Sequence, residues 1–290
     1  MAGAGQPVAP ALLGHGIERG SQPAPVVAFA NQKGGVGKTT TAVNTAVHFA
    51  RDGHRVLLVY MDPQGNATSS LGIGKDPDAR STYDLLTGEA SLADVLVRDA
   101  RPGLDLVPAS PSLAGAEVEL VGAERRERRL EEALSAALTG YDVVLIDCPP
   151  SLGLLTVNAL TAARAVVVPI QCEFLALEGL GQLIQTIDLV KRSLNPPLDV
   201  AGVLMTMYDA RTRLSAHVVE EVRSYFPHRI FAAVVPRSVR LAEAPSYGQA
   251  IAEYDPGSRG AEAYEAFAGE LSGRLRLPAP VAATHARSDR

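Results

Sequence analysis

Residues 31–41 read NQKGGVGKTTT, between an apolar β-branched run, PVVAFA at 25–30, and a helical stretch at 37–51. A glycine-rich turn that leaves a strand and opens a helix is where backbone N–H groups and a helix N-terminus converge on an anion. Gly34, Gly35 and Gly37 let the chain curl closely, so the backbone from Lys33 through Gly34, Gly35, Val36, Gly37, Lys38, Thr39 and Thr40 is expected to wrap phosphates. Within it Lys38 is placed to reach the β and γ phosphates and the Thr39 hydroxyl to ligate Mg2+. The stretch departs from the pattern G-x-x-x-x-G-K-[ST] at one place, since Gln32 stands where the first glycine belongs. It also carries an early second lysine, Lys33, whose charge would stabilise phosphate oxygens in cis unless it serves elsewhere.

Outward from this loop, short apolar runs recur at 55–60, 104–109, 142–147, 165–170, 200–207 and 230–235. Most are continuously apolar, as strands covered on both faces must be. Helical stretches lie between them, the clearest at 177–194, where Leu180, Leu183, Ile184, Ile187, Val190 and Leu194 recur at helical spacing before Asn195-Pro196-Pro197. Alternation of this kind predicts an α/β fold, a single doubly wound and mostly parallel sheet with helices on both faces, its site at the carboxyl ends of the strands. The mixed-sign run ERRERRLEE at 124–132 reads as a solvated helix face.

At 290 residues, with 47% hydrophobic and 20% charged residues, the chain has globular proportions. The reading divides it into a disordered Ala/Gly/Pro-rich arm at 1–24, a phosphate-loop (P-loop) domain at 25–277 and a loose, flexible tail at 278–290. No apolar run approaches the roughly 18 residues that a membrane span requires. Cys148 and Cys172 lack metal-ligand spacing, which points to buried thiols in a reducing cytoplasm rather than a disulfide framework. A net charge of −5 argues against nucleic-acid binding over the whole surface and leaves room for a local basic patch. The segment 208–241 offers one, with Arg211, Arg213, Arg223, Arg229, Arg237 and Arg240 against Asp209, Glu220 and Glu221.

Two carboxylates stand at strand ends, Asp147 closing VVLID and Asp62 just after RVLLVY. The early lysine of KGGVGKT, together with DPQGNATSSLG (62–72), YDVVLIDCPPSLGLLTVNAL (141–160), VPIQCEFLALEGL (168–180) and VVPRSVRLAEAPSYG (234–248), resembles the ParA/MinD family of ATPases with a deviant Walker A box, and its chromosomal ParA (Soj) branch in particular. The resemblance covers roughly 26–270 and implies a DNA-segregation ATPase with ATP and Mg2+ as cofactors. It implies that Lys33 crosses a dimer interface to the partner's ATP, that Asp147 with Thr39 holds the Mg2+ shell, and that Asp62 positions the attacking water, so that Lys33, Lys38 and Asp62 form the catalytic set. Pro236 and Ser238 match the segment that grips the nucleoside, although relatives often carry asparagine where Ser238 stands. Arg211, Arg237 and Arg240 match a sequence-independent DNA surface completed on dimerisation.

The implied partners are nonspecific double-stranded DNA, a ParB-type centromere-binding protein that stimulates hydrolysis, and a second copy of the chain, on the nucleoid in the cytoplasm and without a membrane. One family position is altered: Tyr60 stands where an aspartate is usual, and the expectation is that its ring lies close to the metal side of the site, slowing or recoupling hydrolysis while ATP binding is kept. Other readings stay open here. A MinD-like positioning ATPase would end in a basic amphipathic helix, which Pro278 and Pro280 interrupt. An iron-sulfur electron-transfer ATPase would need cluster cysteines, and a P-loop kinase a substrate lid.

Overall fold

The apolar run that feeds the phosphate loop is a central strand. In the computed structural model, which describes residues 23–64, 70–74, 79–173 and 179–279, β1 (Val26–Phe29) lies between β5 and β6 and leads through the loop into α1 (Lys38–Arg51). The chain continues through β2 (Val56–Tyr60), α2 (Thr82–Thr87), α3 (Leu92–Val95), β3 (Val97–Arg101), β4 (Leu104–Val107), α4 (Leu113–Glu119), α5 (Arg129–Ser135) and β5 (Val143–Asp147). The second half comprises α6 (Leu154–Ala162), β6 (Ala165–Gln171), α7 (Leu180–Ser193), β7 (Asp199–Tyr208), α8 (Arg213–Tyr225), β8 (Ile230–Pro236), α9 (Val239–Glu243), α10 (Ile251–Tyr254) and α11 (Arg259–Leu275).

The strand order is β3-β4-β2-β5-β1-β6-β7-β8 in one eight-stranded sheet, parallel throughout except for β3 against β4. Successive strand residues point to opposite faces, and the core divides accordingly. Val27, Phe29, Leu58 and Leu145 join Ala42, Val43, Tyr264 and Phe267 of α1 and α11. Val26, Ala28, Leu57 and Ile146 join Leu155, Leu160, Leu183 and Ile187 of α6 and α7 on the other face. Both faces being covered explains why the strands read as unbroken apolar runs.

The expected strands are present with shifted ends, and the doubly wound α/β arrangement holds. Two places differ. β3, VRDAR, carries no apolar alternation; it forms because it borders β4, and Arg101 anchors it to Glu253 of α10 at 2.5 Å and to the Gly248 carbonyl at 2.7 Å. The run at 124–132 is not one helix face: Arg125 adopts a left-handed φ of 53°, Arg126–Arg128 forms a tight 3-10 turn, and α5 starts only at Arg129. Arg126 and Arg128 turn back to donate to the carbonyls of Val121 (2.7 Å) and Leu194 (2.5 Å), so these charges tie loops together. Residues 1–22 of the expected arm, and 280–290 of the expected tail, lie outside the described residues.

Both border strands depart from a plain ladder. At β3, Asp99 takes a φ of 51° and donates its N–H to Asp105 at 2.8 Å, which interrupts regular pairing. At β8, the Glu270 carboxylate of α11 accepts the N–H groups of Ala232 (2.8 Å) and Ala233 (2.6 Å).

Candidate nucleotide site

The loop of 31–37 is held at two points by the sheet beside it. The Asn31 amide donates to the Pro169 carbonyl of β6 at 2.7 Å, while its side-chain oxygen accepts the Lys33 N–H at 3.0 Å. Thr206 of β7 donates its hydroxyl to the Val36 carbonyl at 2.8 Å. Gly35 (φ 76°) and Gly37 (φ 90°) adopt the left-handed conformation that a side chain would strain. No side chain caps the N-terminus of α1, which begins at Lys38, so its first amides are available to an anion.

Two of the expected charges meet in the floor of this loop. Lys38 is buried and its ammonium donates to the Lys33 carbonyl at 3.0 Å; burial lowers its pKa, against the raising influence of Asp147, Cys148 and Asp62. Asp147, fully buried at the end of β5, accepts the Thr39 hydroxyl at 2.7 Å on one oxygen. Its other oxygen is buried without a hydrogen-bond partner among the described residues. Burial pushes its carboxyl up to about 7, with Asp62 adding to the rise and Thr39 and Lys38 opposing it. A carboxylate with an orphaned oxygen beside a hydroxyl is an all-oxygen donor pair, which suits a hard divalent cation such as Mg2+. Asp62 sits in the turn after β2, where it accepts the Gln64 N–H at 3.0 Å, close enough to influence both Lys38 and Asp147.

Lys33 lies apart from this group: its ammonium forms an ion pair with Glu173, just beyond β6. Tyr60 is the register partner of Asp147 across β2 and β5 and belongs to the same face of the sheet as α1. The ring is fully buried, its hydroxyl has no hydrogen-bond partner among the described residues, and burial with the nearby Asp147 raises the phenol well above its ordinary pKa. Gly34 lies within the loop and Thr40 in the first turn of α1, where the Thr40 carbonyl accepts the Asn44 amide at 2.7 Å. Pro236 ends β8 opposite Tyr208, and Ser238 precedes α9 without capping it through its side chain.

The three arginines are exposed but differently engaged. Arg211 grips Asp209 through two nitrogens, at 2.9 and 2.8 Å. Arg240 pairs with Glu243 at 3.1 Å and Asp255 at 3.5 Å, and its guanidinium lies 5.9 Å from the Tyr254 ring centroid. The Arg237 side chain has no hydrogen bond or ion pair among the described residues, and its backbone N–H joins Tyr208. Sequence reasoning missed Glu173, Asn31 and Thr206 as site residues. Asn31 and Glu173 stand inside or beside the quoted motifs, but nothing local assigns them a contact.

A family model described as an AAA domain matches residues 24–200. The sporulation initiation inhibitor protein Soj of Bacillus subtilis is 54% identical over 85% of this chain and 98% of its own. The chromosome partitioning protein ParA of Caulobacter vibrioides is 51% identical over 88% of this chain and 97% of its own. Among solved structures, a Mycobacterium smegmatis protein described as cobyrinic acid a,c-diamide synthase, with bound ADP and magnesium, is 41% identical with a TM-score of 0.77, covering 88% of this chain and 98% of its own. That description names a different chemistry, and the higher identities to the partition proteins, over nearly their whole lengths, decide between the two. With its early-lysine phosphate loop and the Thr39–Asp147 pair in place beneath it, the chain belongs to the ParA/Soj family of chromosome-partitioning ATPases.

Proposed function

We propose that this ATPase binds ATP with Mg2+, closes into a face-to-face dimer, and in that state binds double-stranded DNA without sequence preference. Slow hydrolysis, stimulated by a ParB-type centromere-binding partner, then releases the DNA. The single observation that carries the dimer is the division of labour between two lysines. Lys38 is buried in the floor of its own loop, whereas the Lys33 ammonium is committed to Glu173 outside it. A cation held clear of its own phosphate pocket would serve a pocket opposite by exchanging Glu173 for phosphate.

The backbone of residues 34–40 would hold the phosphates, and Thr39 and Asp147 the Mg2+, which would neutralise charge on the terminal phosphates during transfer. In this reading Asp62 orients the attacking water, and Pro236 and Ser238 border the nucleoside. For DNA, Arg237 is the unengaged arginine, and Arg211 and Arg240 exchange carboxylates for phosphates on binding. Contacts of this kind position a protein on the backbone without reading bases. No helix among the described residues is long and apolar enough to cross a membrane. The proposed setting is the nucleoid in the cytoplasm.

The test is binding to a random-sequence duplex with ADP or with ATP and Mg2+ across a salt series, alongside sedimentation of the same samples. Dimerisation and steeply salt-dependent binding only with ATP are expected, both lost in K33A. Confirmed ATP binding and dimerisation without DNA affinity would instead return the arginines to solvent and favour a MinD-like positioning role on another surface.

A further inference from the structure

At the amino ends of the strands, on the side of the sheet opposite the phosphate loop, a groove of about 810 Å³ opens between α3 and α5. Leu85, Leu92, Leu96, Ala133 and Ala137 form its apolar wall, and Tyr141 closes one end. Three arginines (Arg55, Arg98, Arg129) face three carboxylates (Asp99, Asp105, Glu132) around it, so no net charge selects a nucleic acid or a free anion. What the groove offers is unfilled apolar surface, of a size that holds several side chains.

The first described residues pass directly beside it. The Ala24 N–H donates to the Leu138 carbonyl at 2.9 Å, and Ala137 and Thr139, on either side of Leu138, both line the groove. The residues before Ala24 include the apolar stretch VAPALLG at 8–14 and Ile17, in a segment whose charged side chains are Glu18 and Arg19. The eleven residue steps from Leu13 to Ala24 span at most about 36–40 Å, enough to lay the stretch along the groove beside its anchor. We infer that the apolar residues 8–17 of this chain are the occupant of the groove, docking intramolecularly. The arm thereby covers an apolar face that would otherwise invite association.

The experiment uses the full chain and two kinds of variant, L12D/L13D in the arm and A136E on the exposed rim of the groove, neither of which alters a core residue. Arg19 is the one tryptic site before Ala24. Cleavage there is expected to be about tenfold faster in either variant, because proteolysis follows the population of the released arm. Hydrogen exchange of residues 129–141 is expected to rise in parallel, at all protein concentrations, with nucleotide affinity unchanged. Equal cleavage and equal exchange in all three proteins would overturn the inference. So would protection that grows with protein concentration, which assigns the groove to a second copy, or protection that appears only with an added partner protein.

Discussion

Tyr60 and Asp147 face each other in register across the two strands beside the phosphate loop, both fully buried, and each has an oxygen without a hydrogen-bond partner among the described residues. An acceptor and a potential donor that stay unsatisfied side by side mark a spot organised for something other than stability.

Replacing Tyr60 separates the ring from its hydroxyl. Y60F removes a buried, unpartnered polar group and keeps the volume, so the free protein should gain about 1 kcal/mol in urea unfolding, with ATP turnover unchanged. Y60D places a second carboxylate next to Asp147 and should destabilise the free protein, the loss being recovered with Mg2+ and nucleotide. Faster turnover in Y60D at similar ATP affinity is the expected result. Turnover identical to the parent would remove any role for Tyr60 in hydrolysis.

If Asp147 holds Mg2+ as proposed, Mg2+ binding should depend on pH. The carboxyl's folded value of about 7 lies above the ordinary 3.8, so between these values the folded protein holds a proton that the unfolded chain has released. Stability of the free protein therefore declines as pH rises through that window, by an amount on the order of 1–4 kcal/mol. Mg2+ competes for the same carboxylate, so Mg2+-dependent ADP affinity should weaken below about pH 7, by up to about tenfold per unit. Calorimetric titration with and without Mg2+ at both ends of the window checks this, and D147N should flatten both trends.

If Lys33 serves a partner's pocket as proposed, its ion pair with Glu173 must be given up on dimerisation. E173Q frees the ammonium, and sedimentation velocity should find the ATP-bound dimer at lower protein concentration than in the parent. A weaker dimer in E173Q would place Glu173 in the closed interface itself, as a contact and not a restraint.

The DNA face is predicted to be held back by its own carboxylates. E243Q leaves Arg240 with Asp255, at 3.5 Å, as its remaining carboxylate partner among the described residues, beside Tyr254, and should tighten the proposed DNA binding in the ATP state. R240A should lower the slope of log affinity against log salt by about one per subunit, equally for all sequences. Titrations on two unrelated duplexes at several salt concentrations separate these effects.

The sheet was legible because its strands are buried on both faces and therefore spell themselves out as apolar runs. The course of the loop was legible because its glycines permit the tight turn into α1, and the position of Asp147 because it ends an apolar strand. β3 was not, since VRDAR owes its conformation to β4 and to the tie between Arg101 and Glu253. Nor was the turn at Arg125, whose left-handed backbone has no glycine to announce it. The Lys33–Glu173 pair joins residues 140 apart, brought together only because β1 and β6 are neighbours. The arginines looked like a net positive segment because Glu243 and Asp255, two of the carboxylates that neutralise it, lie just past its end.

The Glu270 carboxylate over Ala232 and Ala233 has a meaning beyond the fold. A bare backbone ladder at the border of a sheet is a template on which another chain can add a strand. At β8 these two amides already have a charged acceptor from α11, so a strand arriving there would first have to displace Glu270.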